Sequence, residues 1–165
     1  VLAHMNTLTY NPDTNLLYTT NAMIDGHRIT TIDADTMSIG NTITIPERVF
    51  NLAYDKKTNQ FMSIVPIDAT MRRINYYTSQ FQLVQSKDID ANYDDYNNNG
   101  AFANDGKTIF ATLSTVITVD KTGNVTKIAS FPKNLEIEDM DMRHNIMYAA
   151  VNMNHKVFIY TMLNY

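Results

Sequence analysis

The feature that most constrains this chain is its self-similarity. Four segments follow one plan, in which a short apolar stretch runs through a polar turn into a second apolar stretch: Leu8 to Tyr18, Leu52 to Met62, Gly100 to Phe110 and Met140 to Tyr148. Their equivalent anchors, Tyr10, Tyr54, Phe102 and Met142, are spaced 44, 48 and 40 residues apart. A repeat of roughly 40–45 residues is what a unit of four short antiparallel strands requires. The 165 residues hold close to four such units.

Residue types agree with strands. The chain has 20 Thr, 19 Asn and 10 Tyr. Thr and Tyr suit a pleated, half-buried surface, and Asn suits turns because it tolerates left-handed backbone. Alternation and turn chemistry place strands near 5–11, 16–21, 28–34 and 38–45, then 48–55, 60–66, 70–78 and 81–87. A third set falls near 99–104, 108–114, 115–120 and 125–131, and a fourth near 136–142, 146–152 and 156–163. The expected fold is all-β, a β-propeller with four recognisable four-stranded blades over 1–46, 47–95, 96–132 and 133–165. The last blade lacks its final strand, and the whole reads as part of a five-bladed or larger ring.

The fourth unit ends on the apolar run from Val157 to Leu163, with no later strand to cover it. Long bare edges invite pairing with another chain. The chain opens on Val1, which reads as a processed or excised piece, so the expectation is that missing upstream polypeptide supplies a closing strand and a further blade. The alternative is a homo-oligomer paired at this edge. With no Cys in the sequence, ring closure cannot rest on a disulfide.

Two resemblances follow from these residues. Leu17-Tyr-Thr-Thr-Asn21, Arg28-Ile-Thr-Thr-Ile-Asp33-Ala-Asp-Thr36 and Asn41-Thr-Ile-Thr-Ile-Pro46 resemble the YVTN propeller repeat, over the first 46 residues. His4-Met-Asn-Thr-Leu-Thr-Tyr-Asn-Pro12, Asn98-Asn-Gly-Ala-Phe102 and Glu136-Ile-Glu-Asp-Met140 are similar to inner strands of the five-bladed propellers of helveticin J-type bacteriocins and of receptor-binding proteins from phages of Gram-positive bacteria. That second resemblance implies a cell-surface glycan or wall-polymer ligand. It also implies a place outside the cell, at a cell surface or on a virion.

Composition removes other classes. Seventeen acidic residues stand against thirteen basic ones, with no Lys/Arg cluster to displace counterions, so nucleic acid is not an expected partner. No apolar run approaches 18 residues, so membrane insertion is not expected. No nucleophile elbow or phosphate loop occurs, and His4, His27, His144 and His155 form no metal-ligand pair by spacing.

Aligning the anchors sets His4, Arg48, Tyr96 and Glu136 at one level of the inner strands, with Asn6, Phe50, Asn98 and Glu138 two residues deeper. Residues two apart share a strand face, so these sets would ring a channel mouth and offer hydrogen-bonding groups and an aromatic platform to a polyol or sugar phosphate. The competing reading is that they tie blades together or meet solvent. Alternation puts Glu136 and Glu138 on one face and Asp139 and Asp141 on the other. Asp88, Asp90, Asn92 and Asp94 match the first alternate ligands of an EF-hand loop and suggest Ca2+, although Tyr93 and Asn99 replace its Gly and Glu. The other reading is a polar link between blades that serves as a recognition loop. The expected function is a non-catalytic binding module for a surface glycopolymer. The alternatives are a lactonase-type hydrolase holding a metal through Glu136, Asn98 and Asn6, and a protein-interaction scaffold.

Overall fold

The computed structural model describes residues 5, 7–20, 26–90, 98–104, 107–112, 115–120, 122–132, 134–143, 146–154 and 156–162, giving the backbone only for 98–104, 107–112, 127, 128, 143 and 162. Among these residues it contains fifteen strands and no helix. They are β1 (Leu8–Asn11), β2 (Leu16–Thr20), β3 (Arg28–Asp33), β4 (Ile39–Thr44), β5 (Ala53–Asp55), β6 (Gln60–Pro66), β7 (Met71–Thr78) and β8 (Leu83–Asp90). The remainder are β9 (Asn98–Asn104), β10 (Lys107–Thr112), β11 (Thr115–Asp120), β12 (Val125–Ser130), β13 (Glu136–Arg143), β14 (Ile146–Met153) and β15 (Lys156–Met162). Three antiparallel sheets have four strands each in sequence order, and the last, β13-β14-β15, has three.

Turn chemistry explains why each hairpin forms. Asn15 and Asn59 end the first turns of the first two sheets in left-handed backbone, at φ 55° and 53°, a conformation that Asn tolerates better than most residues. The anchor tyrosines lock those turns: Tyr10 donates to Asn15 Oδ1 at 2.9 Å, and Tyr54 reaches Asn59 Oδ1 at 3.0 Å. Elsewhere an aspartate folds the chain over its own carboxylate. Asp33 accepts from the backbone of Asp35 and Thr36, Asp68 from Thr70 and Met71, and Asp120 from Thr122 and Asn124. These bonds hold all three carboxyls below the ordinary range.

The sheets pack face to face as successive blades, and one apolar cluster fills each junction. Tyr18, Ile29 and Ile45 of the first blade meet Leu52, Tyr54, Phe61, Tyr77 and Phe81 of the second. Phe61 is central there, stacked on Phe81 at 4.4 Å and edge-on to Tyr18 at 4.8 Å. Met62, Ile64, Ile74 and Ile89 meet Ile117 and Val119 of the third blade. Val116 then packs with Leu135, Ile137, Met140, Met147, Ala149 and Val151 of the fourth. Among the described residues no such cluster joins the fourth blade to the first; a hydrogen bond from Leu8 N to Asp139 Oδ2, 2.9 Å, links them instead.

Two details differ from expectation. The inner strand expected over 48–55 is confined to Ala53–Asp55, because the residues before it bond elsewhere. Val49 N donates to Gly26 O at 2.7 Å, and the Asn51 side chain, not a backbone carbonyl, accepts from Ile64 N at 3.0 Å. In β13 the register breaks between Ile137 and Asp139, leaving Glu138 as an extra residue. Ile137 and Met140, three apart, therefore both face the core, which a regular strand forbids.

Candidate functional site

The segment linking β4 to β5 builds one wall of a cleft. Ile45, Val49 and Leu52 are buried as its apolar anchors, and backbone bonds from Ile45 to His27 and from Val49 to Gly26 pin it to the first blade. Glu47, Arg48 and Phe50 line the cleft. Gly26 is needed at this approach, since a Cβ there would stand 2.6 Å from Arg48 Cγ. The Arg48 guanidinium lies over the Phe50 ring, 4.9 Å from its centre, a cation–π arrangement that stiffens both side chains.

The opposite wall is the second blade itself: Val65 and Pro66 of β6, Arg73 and Asn75 of β7, Leu83 and Ser86 of β8. Together the two walls enclose about 540 Å³, within the range of small-ligand sites. Ser86 donates to Asn75 Oδ1 at 2.7 Å, which orients the Asn75 amide. Arg73 is held by two bonds to Asp88, at 2.6 and 2.9 Å. Among the described residues, one buried side-chain polar atom of the lining lacks a hydrogen bond, Glu47 Oε2, while the hydroxyl of Tyr77 is buried outside the lining. Burial pushes the Tyr77 hydroxyl pKa up, and the Glu47 charge pushes it further. A buried, unmatched carboxylate oxygen is an acceptor awaiting a donor.

Of the residues selected from sequence, the described ones do not all line this cleft. Arg48 and Phe50 lie in this cleft rather than on an inner strand, and Glu136 and Glu138 are not among its lining residues. Glu136 lies opposite Asn152 in register, and Asn152 donates to Glu138 at 3.2 Å. His4, Asn6, Tyr96, Asn92 and Asp94 fall outside the described residues, while Asn98 is described by its backbone, opposite Thr112. Asp88 and Asp90 belong to β8. An extended strand spaces such side chains about 6.5–7 Å apart instead of wrapping them round an ion, and the Asp88 carboxylate is engaged by Arg73. Among the described residues no three His, Asp or Glu gather into a metal cradle.

The division of the acidic group is corrected. The bulge at Glu138 resets alternation, so Asp139 and Asp141 share with Glu136 the face turned away from the Ile137 core. Asp139 keeps part of its surface in solvent while its carboxyl lies deep among the inner strands. Burial pushes its pKa up to about 7; the N–H groups of Met140 and Leu8 oppose the rise, and the Asp141 charge adds to it. Sequence reasoning passed over Glu47, Arg73, Asn75 and Ser86. Asn75 carried a signal, an amide in the middle of the apolar strand Arg73-Ile-Asn-Tyr-Tyr77, where Asn is disfavoured without a purpose.

Comparison with solved structures settles the architecture. The chain is similar to hydrazine synthase from Kuenenia stuttgartiensis (TM-score 0.58, 11% identity, 96% of this chain and 45% of that one). It is also similar to the WD40 repeats of RRP9 (0.55, 10%, 96% and 51%), and to virginiamycin B lyase from Staphylococcus aureus (0.54, 13%, 93% and 54%). The fold is a β-propeller. The propeller chain spans about half the length of these structures, and at such identities the likeness concerns fold alone. No family model and no curated protein matches the sequence.

Proposed function

We propose that this propeller is a non-catalytic binding module for a cell-surface or cell-wall glycopolymer, acting outside the cell as part of a phage receptor-binding or bacteriocin-like protein. The observation that carries this reading is the cleft between the β4–β5 segment and the second blade. It sets the Phe50 ring, backed by Arg48, beside a carboxylate oxygen of Glu47 that has no partner. Sugars present apolar C–H faces and rows of hydroxyls, so they need a flat apolar platform with donors and acceptors around it. Phe50 and Leu83 supply the platform, Glu47 accepts, as does the Ser86 hydroxyl oxygen whose proton is given to Asn75, and Arg48 and Arg73 donate. Weak contacts of this kind gain strength when several copies engage one polymer.

The test is retention of the purified chain on wall glycopolymer from Gram-positive cells, with titration against released fragments. Phe50→Ala and Glu47→Gln should each weaken binding about tenfold, the size of one lost ring-stacking contact and one lost charge-assisted contact respectively, with the far-UV circular dichroism unchanged. Absence of binding by the wild-type chain, or binding by both variants as tight as that of the wild-type chain, refutes the reading.

A further inference from the structure

The polar groups of the cleft are unevenly matched. Arg73 spends two of its N–H groups on Asp88, the ion pair described at this site, and the Arg48 guanidinium lies over Phe50. Ser86 gives its hydroxyl proton to Asn75 Oδ1, which leaves the Ser86 oxygen as an acceptor. Glu47 stands half-buried on the opposite wall, and its Oε2 has no hydrogen-bond partner among the described residues. Its negative charge is felt inside the protein, where it adds to burial in raising the pKa of the Tyr77 hydroxyl. The donors are thus largely committed, whereas two acceptors and one negative charge are left over.

We infer that the cleft selects ligands carrying a primary ammonium group, which docks against Glu47 and Ser86. The inference rests on the glycopolymer reading and names an amine as the group of the polymer that is recognised. An ammonium has three N–H donors and a full positive charge. It therefore satisfies the free carboxylate oxygen and also compensates a charge that the cleft wall partly removes from water. A sugar hydroxyl supplies one donor and leaves that charge uncompensated, and a phosphate would be repelled by it. A divalent cation fits less well, since Ca2+ takes about six to eight oxygen ligands and among the described residues no three His, Asp or Glu gather here. Amino sugars and aminoacyl esters of polyols both present the required amine.

The test uses amine-bearing wall glycopolymer from Gram-positive cells, as isolated and after N-acetylation with acetic anhydride. Acetylation removes the charge from every amine and leaves the sugar backbone unchanged. The wild-type chain should bind the acetylated polymer at least about tenfold more weakly, the size of one charge-assisted contact. Glu47→Gln, with its circular dichroism unchanged, should bind the two polymers alike. Polymer treated with mild alkali, which cleaves aminoacyl esters and spares amino sugars, assigns the source: loss of binding there indicates an ester, and loss on acetylation alone an amino sugar. Equal binding of native and acetylated polymer by the wild-type chain overturns the inference while the glycopolymer reading stands; retention of neither overturns both. A Glu47→Gln chain that still prefers the native polymer tenfold also overturns the inference.

Discussion

β7 and β15 are both third strands, built of similar residues, and they meet different fates. β7 lies between β6 and β8, with Ile74 and Tyr77 fully buried. Among the described residues β15 has β14 on one side and no strand on the other, and its residues from Lys156 to Thr161 are all exposed. The second blade also has an apolar neighbour on each side, through the clusters at Phe61 and at Ile64. The fourth has one on the side of the third blade, and toward the first the described residues show the Asp139–Leu8 bond. Local composition makes a strand, while the stability that the strand contributes depends on what covers it.

The largest expected effect breaks the comparison at its most buried point. Phe61→Ala removes the ring that stacks on Phe81 and meets Tyr18 and Tyr54. It should cost about 3–5 kcal/mol in urea unfolding, the usual result of emptying an aromatic core site. Tyr160→Ala, on the half-exposed face of β15, should cost less than about 1.5 kcal/mol, because little transfer from water is lost. Similar losses at the two positions would mean that the fourth blade is covered as fully as the second.

A second prediction concerns the Asp139 link. Its pKa rises from 3.8 unfolded to about 7 folded, so across that window the native state holds a proton that the unfolded chain has released. Stability should therefore fall as pH rises from about 4 to about 7, with a slope approaching ~1.4 kcal/mol per pH unit before solvent screening reduces it. Asp139→Asn keeps an acceptor for Leu8 N and removes the titration. It should flatten that part of the curve and match or exceed wild-type stability at pH 8. Asp33, Asp68 and Asp120, with lowered values, work in the opposite sense: their contribution is present above the ordinary carboxylate pKa and lost as pH falls below it. Unfolding midpoints measured from pH 3 to pH 9 separate the two groups.

The smallest effect should be equal in both blades. Asn59 and Asn154 occupy left-handed backbone at φ 53° and 52°. Replacing either by Ala should cost about 1 kcal/mol through local strain, and Gly should restore most of it. Unequal values would show that tertiary cover reaches even the turns.

Much of the fold was legible because its causes are local. Fifteen strands were expected and fifteen form, since period-two alternation and Asn and Asp turns act within a few residues. Errors arose where a side chain took over a backbone role or an extra residue entered a strand. Asn51 replaces a carbonyl for Ile64 and shortens β5. The bulge at Glu138 moves Asp139 and Asp141 to the face that alternation denied them. The bulge shows in the sequence only as the three-residue step from Ile137 to Met140, and the Asn51 bond leaves no mark on hydrophobic periodicity.

The site was legible only in fragments. Arg48 and Phe50 were singled out, but for a channel ring, whereas the cleft joins them to Arg73, Asn75 and Ser86 across 23 to 38 residues of chain. By itself the sequence determined the repeat, the strands and the turns, because hydrogen bonding and alternation are short-range. Only the tertiary structure decided which third strand is covered, which carboxylate is buried and which polar groups converge. Those outcomes depend on the stacking of one blade against the next, and that stacking is set by contacts between residues far apart in the chain.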